Sequence, residues 1–112
     1  MIKKSFGLPL TTSYQKIYTV PTGKKAEWVL LYVTNTSGST STFSVRYYNA
    51  EAATTLTLFN GYSLAASEFF KIGGEENEFI MMKEGDYIEA LDGAGMTMMI
   101  SVIEHNDINK GG

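Results

Sequence analysis

The stretch Ala26–Asn35, AEWVLLYVTN, decides the fold of this 112-residue chain. It contains no Gly or Pro, and most of its residues are aromatic, β-branched or large and apolar, as is typical of a β-strand. Strict alternation divides its large side chains into two sets, which are Val29, Leu31 and Val33, and Trp28, Leu30 and Tyr32. Because a strand that is apolar on both sides must be covered on both, we predict a second sheet over one side. The other side needs a further element or a neighbouring subunit.

Alternating apolar and polar residues predict further short strands, and turn signals such as Asn60-Gly61 and Gly85-Asp86 separate most of them. Besides residues 26–35, the predicted strands are residues 14–20, 43–48, 54–59, 68–72, 79–82, 87–91 and 96–104. With no convincing helix, this pattern predicts an all-β fold, an antiparallel β-sandwich of seven to eight strands. An Ig-like and a jelly-roll topology fit the pattern equally well.

The chain is short enough to form one domain, which we place at residues 14–105. Residues 1–13 are expected to form an extended, irregular N-terminal arm, because Pro9 cannot donate to a ladder and the apolar residues follow no helical spacing. This arm either packs on its own domain or docks on a neighbour. Residues 106–112 are polar and end in two glycines, so they are expected to be a flexible tail.

Composition excludes several classes of function. The formal net charge of −3 and the pI near 5.0 argue against binding to nucleic acid. With no cysteine, the chain has neither disulfides nor a thiolate nucleophile, which fits folding in a reducing cytoplasm. No apolar run approaches the ~20 residues of a membrane-spanning helix, and no apolar region of the secretory type follows Lys3 and Lys4.

No set of residues predicts catalysis, a cofactor or a metal site. His105 is the only histidine and has no partner motif, so we expect an ordinary residue near the end of the last strand. The segment Gly93-Ala94-Gly95 is followed by no helix signal and is not a phosphate loop. A group of carboxylates offers oxygen ligands for Ca²⁺ but lacks EF-hand spacing, and we expect it to be solvated; its members are Glu75, Glu76, Glu78, Asp86, Glu89 and Asp92.

Aromatic residues are the more informative feature, since the chain has seven Tyr and one Trp. Aromatic rings on a sheet stack against sugars in carbohydrate-binding sandwiches, and they anchor protein interfaces. The predicted interface residues are Phe6, Leu8 and Leu10 of the arm, together with Trp28, Leu30, Tyr32 and Tyr48.

Two segments together resemble a known group of proteins. Residues 18–24, YTVPTGK, precede an apolar strand that closes in VTNTS at residues 33–37, and residues 82–90 read MKEGDYIEA. This order is similar to small β-sandwich structural proteins of tailed-bacteriophage virions, although Thr22 stands where Ala is usual and Glu84 where Pro is common. The motifs also have a plain physical account, because Asp86 is expected to cap its turn and Asn35 to bond loop backbone.

The resemblance implies a non-catalytic virion protein, folded in the host cytoplasm before assembly. We expect a homo-oligomer that contacts the phage capsid or other virion proteins, either a capsid decoration (cement) protein or a neck or tail component. A decoration protein at a three-fold position would be a trimer. The alternative is a carbohydrate-binding module that serves host attachment. It requires exposed and roughly coplanar Tyr or Trp rings on one face or at a loop end.

Overall fold

A computed structural model describes residues 2–73 and 80–107 of the protein. These residues form nine β-strands and no helix: β1 Ile2–Pro9, β2 Gln15–Thr19, β3 Lys24–Asn35, β4 Ser41–Asn49, β5 Thr54–Leu64, β6 Phe69–Gly73, β7 Ile80–Lys83, β8 Tyr87–Asp92 and β9 Met96–Asn106. In the ranges described, no helix suited to crossing a membrane is present.

The strands form two antiparallel sheets that pack face to face, which confirms the predicted β-sandwich. Sheet A has the order β1-β9-β3-β6, and β7 pairs with the first part of β3 beside β6. Sheet B has the order β2-β8-β4-β5. The last strand thus lies between the first and the third, and consecutive strands mostly alternate between sheets. This order is the jelly-roll topology, so it decides between the two arrangements that the sequence left open.

The core lies between the inner faces of the two sheets. Its largest fully buried side chains are Phe43, Met82, Ile88, Met96, Met98 and Ile100. Apolar residues at every second position of β4, β8 and β9, and of β3 apart from one irregular step, supply most of it, as expected for strands with one face against a second sheet.

The N-terminal segment differs from the expected irregular arm, because Ile2–Pro9 forms the regular edge strand β1, paired along its length with β9. Pro9 is tolerated because it is the last residue of an edge strand, where a missing N–H removes little from the ladder. The ring centroids of Phe6 and Tyr18 are 5.0 Å apart, and Leu8 also packs against the core. In this chain the segment therefore packs on its own domain.

A buried carboxylate on β9 connects β1 of sheet A with β2 of sheet B. Glu104 of β9 accepts a hydrogen bond of 2.6 Å from the Tyr18 hydroxyl and forms a 3.0 Å ion pair with Lys4 of β1. Burial by itself would raise the pKa of Glu104. The hydrogen bonds from Tyr18 and Lys4, with the charges of Lys4 and Lys24, outweigh it and hold the pKa below its ordinary value of 4.5. Burial also raises the pKa of Tyr18, as does its bond to Glu104.

We expect stability to fall in acid, with part of the loss traceable to Glu104. Since the pKa of Glu104 is lower in the folded than in the unfolded chain, its ionised form stabilises the fold above pH 4.5. That contribution disappears as the pH falls through the folded-state value. Urea denaturation at neutral pH and at about pH 3 should show a smaller acid-dependent loss in Glu104→Gln than in the wild type. An equal loss in both proteins would contradict this assignment.

The strict alternation predicted for the central strand is wrong at Val29. The pairing of β3 with β9 shifts register between Trp28 and Leu30, so Val29 is the extra residue of a β-bulge. Trp28 therefore points into the core with Leu31, and not outward with Leu30. Its indole N–H donates to the Leu30 carbonyl at 3.0 Å.

Asn60-Gly61 is a bulge and not the predicted turn. The pair lies inside β5, which runs unbroken from Thr54 to Leu64 and so extends beyond the predicted strand at residues 54–59. Gly61 has φ = 67° and donates its N–H to the Ser44 hydroxyl at 2.9 Å, so positive φ serves a kink within the strand.

Of the predicted tail, Asn106 ends β9 and accepts a 2.6 Å hydrogen bond from the Lys24 amine. Asp107 donates its backbone N–H to the Gly23 carbonyl. Residues 108–112 lie outside the described residues.

Candidate interaction surface

The outer surface of sheet A carries an apolar patch that we call the outer apolar face. It consists of Leu30, Tyr32, Phe69 and Met99. Tyr32 lies opposite Met99 across the β3–β9 ladder, and its ring stacks on that of Phe69 with centroids 5.5 Å apart. These four side chains occupy neighbouring positions on three strands.

The fold leaves this patch open. Phe69 is 58% exposed and Met99 is 47% exposed, whereas Leu30 and Tyr32 are half-buried. Gly7 of β1 lies opposite Met99 and has no side chain to cover it. No other element of the described residues crosses this side of sheet A, since all of sheet B packs on its opposite side. Among the described residues, one side of the central strand is thus buried and the other is covered by no further element.

The predicted interface residues are divided between three places. Leu30 and Tyr32 lie together on the outer apolar face. Tyr48 lies on the outer side of sheet B, where its ring stacks on Tyr87. The remaining four are buried in the core or packed against it: Leu10 and Trp28 are buried, and Phe6 and Leu8 are partly buried.

Two members of the patch, Phe69 and Met99, were not among the predicted interface residues. Their strands were predicted, but their position beside Tyr32 depends on β6 and β9 flanking β3 on either side. The signal in the sequence that could have pointed to Met99 was the methionine-rich strand β9. Met96 and Met98 point inward and are buried there, whereas Met99 points outward.

A second apolar feature is a cleft of about 380 Å³ at the open edge of the sandwich, where β5 faces β6 and β7. Leu58 and Phe59 of β5 form one wall, and Ile72 and Ile80 form part of the other. Trp28 also lines it. Leu56, two residues before Leu58, is 49% exposed although it pairs with the buried Tyr47.

The aromatic rings on the outer side of sheet B stack on one another or lie against cationic side chains. The rings of Tyr48 and Tyr87 stack on each other at 4.7 Å, and the Lys16 amine lies over the Tyr87 ring. The Arg46 guanidinium covers Tyr14 at 3.5 Å from its centroid. Because a sugar stacks on a free ring face, this occupied row does not favour the carbohydrate-binding alternative.

The candidate metal ligands have other partners. Asp86 accepts hydrogen bonds from Tyr47 and backbone, Glu89 pairs with Arg46, and Asp92 accepts from the Met96 N–H. His105 is partly buried and lies 2.5 Å from a carboxylate oxygen of Glu27. Glu75, Glu76 and Glu78 lie outside the described residues, and within those residues no group of three potential ligands could hold a metal ion.

Comparison with solved structures shows the fold. A chain from Bacillus endospore appendages, described as disulfide-linked pili, superposes with a TM-score of 0.53 at 12% identity, over 94% of this chain and 85% of that one. A pentameric capsid protein from metagenomic phage sequences matches with a TM-score of 0.43 at 16% identity, over 95% and 64% of the two chains. The Eiger TNF of S. frugiperda matches with a TM-score of 0.40 at 17% identity, over 88% and 69%. No protein-family model and no curated protein matches the sequence.

Proposed function

We propose that this protein is a non-catalytic structural component of a bacteriophage virion, which assembles with copies of itself and with other virion proteins. The observation that carries the proposal is the outer apolar face, which the described part of the chain leaves uncovered. The sequence resemblance to virion β-sandwich proteins adds the virion as the place of assembly. A trimeric capsid decoration protein is the form we propose, and a ring in the neck or tail is the other form.

The composition of the outer apolar face suits a protein contact. Aromatic residues and methionine are enriched at interfaces, and the patch consists of two aromatic residues, a methionine and a leucine. Lysines border the outer apolar face. Lys71 of β6 lies opposite Tyr32 of β3, and Lys3 lies farther along the outer side of β1. An apolar centre with a charged rim is the arrangement that stable interfaces use.

We expect Phe69→Glu to reduce self-association, because it places a carboxylate on a side chain that is 58% exposed and central to the proposed contact. Native mass spectrometry and sedimentation at micromolar concentration should show oligomers of the wild type and a shift toward monomer in the variant. Thr19→Glu, an exposed position on β2 of the opposite sheet, is the matched control and should leave the oligomers unchanged.

Circular dichroism must show that both variants keep the fold. A wild-type protein that stays monomeric under these conditions would overturn the self-association part of the proposal. Mass spectrometry of purified phage particles tests the virion part separately, since the protein should be present there in many copies.

A further inference from the structure

We infer that the free edge of β5 pairs with β5 of a second copy, so that sheet B continues across a two-fold axis. The inference rests on the proposed self-association and names the strand and the symmetry of one contact. Because a three-fold trimer contains no two-fold axis, this contact would join copies that belong to different trimers. It follows from how the four sheet edges of the described residues differ in charge, proline content and regularity.

Three of these edges carry features that discourage strand pairing. Charged side chains, prolines and bulges are the usual means by which proteins protect an edge. In sheet A, β1 has Lys3, Lys4 and Pro9. The opposite edge of sheet A consists of two separate short strands, β6 and β7, and each of them contains a lysine. In sheet B, β2 has Lys16 and a register shift beside it.

The fourth edge lacks charge and proline. Strand β5, TTLTLFNGYSL, is 11 residues long and contains neither. Its register shifts relative to β4 fall after Thr57, so Thr54–Thr57 is regular and pairs with Tyr48 and its neighbours on one side only. All four of these residues are exposed. The free N–H and C=O groups of such an edge are a template for another strand.

A second copy fits this edge better than a foreign partner of opposite charge would. The segment has no charge to attract a charged partner and none to repel its own copy. Its residues Thr55-Leu56-Thr57 read the same in both directions, which suits antiparallel pairing around a two-fold axis near Leu56.

Pairing at this edge also covers the apolar side chains beside it. Leu56 and Leu58 are 49% and 38% exposed. Leu56 belongs to the inner side of β5, since it pairs with the buried Tyr47, and Leu58 lines the 380 Å³ cleft. With the axis at residue 56, Leu56 of one copy would lie next to Leu56 of the other. The contact therefore joins unpaired backbone groups and removes exposed leucine from water at the same place.

Cysteine cross-linking tests the contact directly, because the natural chain has no cysteine. We would prepare Thr55→Cys, Thr57→Cys and the double variant, and compare their disulfide formation under mild oxidation with that of Thr19→Cys, an exposed position on β2 and away from the outer apolar face. A two-fold axis at residue 55 or 57 makes the corresponding single variant cross-link. An axis at residue 56 makes only the double variant do so, since residue 55 then faces residue 57.

Cross-linking should be about tenfold or more faster than for Thr19→Cys, because pairing raises the effective concentration of the thiols. Leu56→Lys should reduce the two-fold association, and Met99→Lys, with similar exposure on the outer apolar face, should leave this contact intact. Circular dichroism checks that each variant is folded.

The outcomes separate this inference from the proposed function. The β5 contact would be overturned if Leu56→Lys formed the same oligomers as the wild type and the β5 cysteine variants cross-linked no faster than the control. The proposed function would then still stand. Sensitivity to Leu56→Lys with indifference to Phe69→Glu would support β5 pairing and count against the outer apolar face. A protein that is monomeric throughout would overturn both.

Discussion

Replacing Asp86 with alanine is expected to lower the free energy of unfolding by about 3–5 kcal/mol. The buried carboxylate accepts a 2.6 Å hydrogen bond from the Tyr47 hydroxyl and bonds of 2.9 and 3.0 Å from the N–H groups of Ala50 and Lys83. It therefore connects β4, the turn after β4 and the turn before β8. Alanine would leave three donors in or near the core without their acceptor, and an unpaired buried group costs about 1–3 kcal/mol.

Urea denaturation of Asp86→Ala, Tyr47→Phe and the double variant measures this effect and the part that belongs to the Tyr47 bond. Glu51→Ala is the control, because Glu51 makes an exposed ion pair with Lys83 at 3.3 Å, and such pairs contribute little. A loss in Asp86→Ala no larger than that of the control would contradict the role of this carboxylate. Burial raises the pKa of Tyr47, as does its bond to Asp86, so stability should also fall at strongly alkaline pH.

Replacing Asn35 with alanine is expected to lower the free energy of unfolding by about 3–4 kcal/mol. Asn35 ends the central strand and is buried, and its side-chain amide donates to the carbonyls of Ser39 and Leu64 at 2.9 Å and Ala65 at 3.2 Å. Its side-chain oxygen accepts from the N–H and hydroxyl of Ser37. One side chain thus joins the end of β3 to the loop after it and to the end of β5.

Thermal and urea unfolding of Asn35→Ala should be compared with that of Asn49→Ala. Asn49 makes a single exposed hydrogen bond to the Ala52 N–H at 3.2 Å, so the same substitution there should cost well under half as much. Equal losses at the two positions would show that the bonds of Asn35 add nothing beyond those of an ordinary turn.

Local residue chemistry was enough to predict most of the strands and both of these polar anchors. The expected roles of Asp86 and Asn35 are confirmed, because each depends on bonds to nearby backbone that a short motif encodes. The jelly-roll order needed the structure, since which strands become neighbours depends on contacts between distant segments.

The errors also have physical causes. Pro9 is a poor strand residue in general, but the edge of a sheet does not need its N–H. Gly61 takes the positive φ that Asn-Gly predicts, yet uses it in a bulge instead of a turn. No Gly or Pro marks the bulge at Val29, so Trp28 was expected on the wrong side of β3 and was included in the predicted interface. Only Leu30 and Tyr32 of the predicted set reach the outer apolar face.

The place of β9 between β1 and β3 has a consequence for how the protein is made. Until β9 has emerged from the ribosome, β1 has no ladder partner in its own sheet and β3 lacks one of its neighbours. Sheet A can therefore form completely only after β9 has been synthesised. Since such distant pairings also slow folding, newly synthesised copies should pass through a stage with unpaired strands, during which crowding on a polysome favours aggregation.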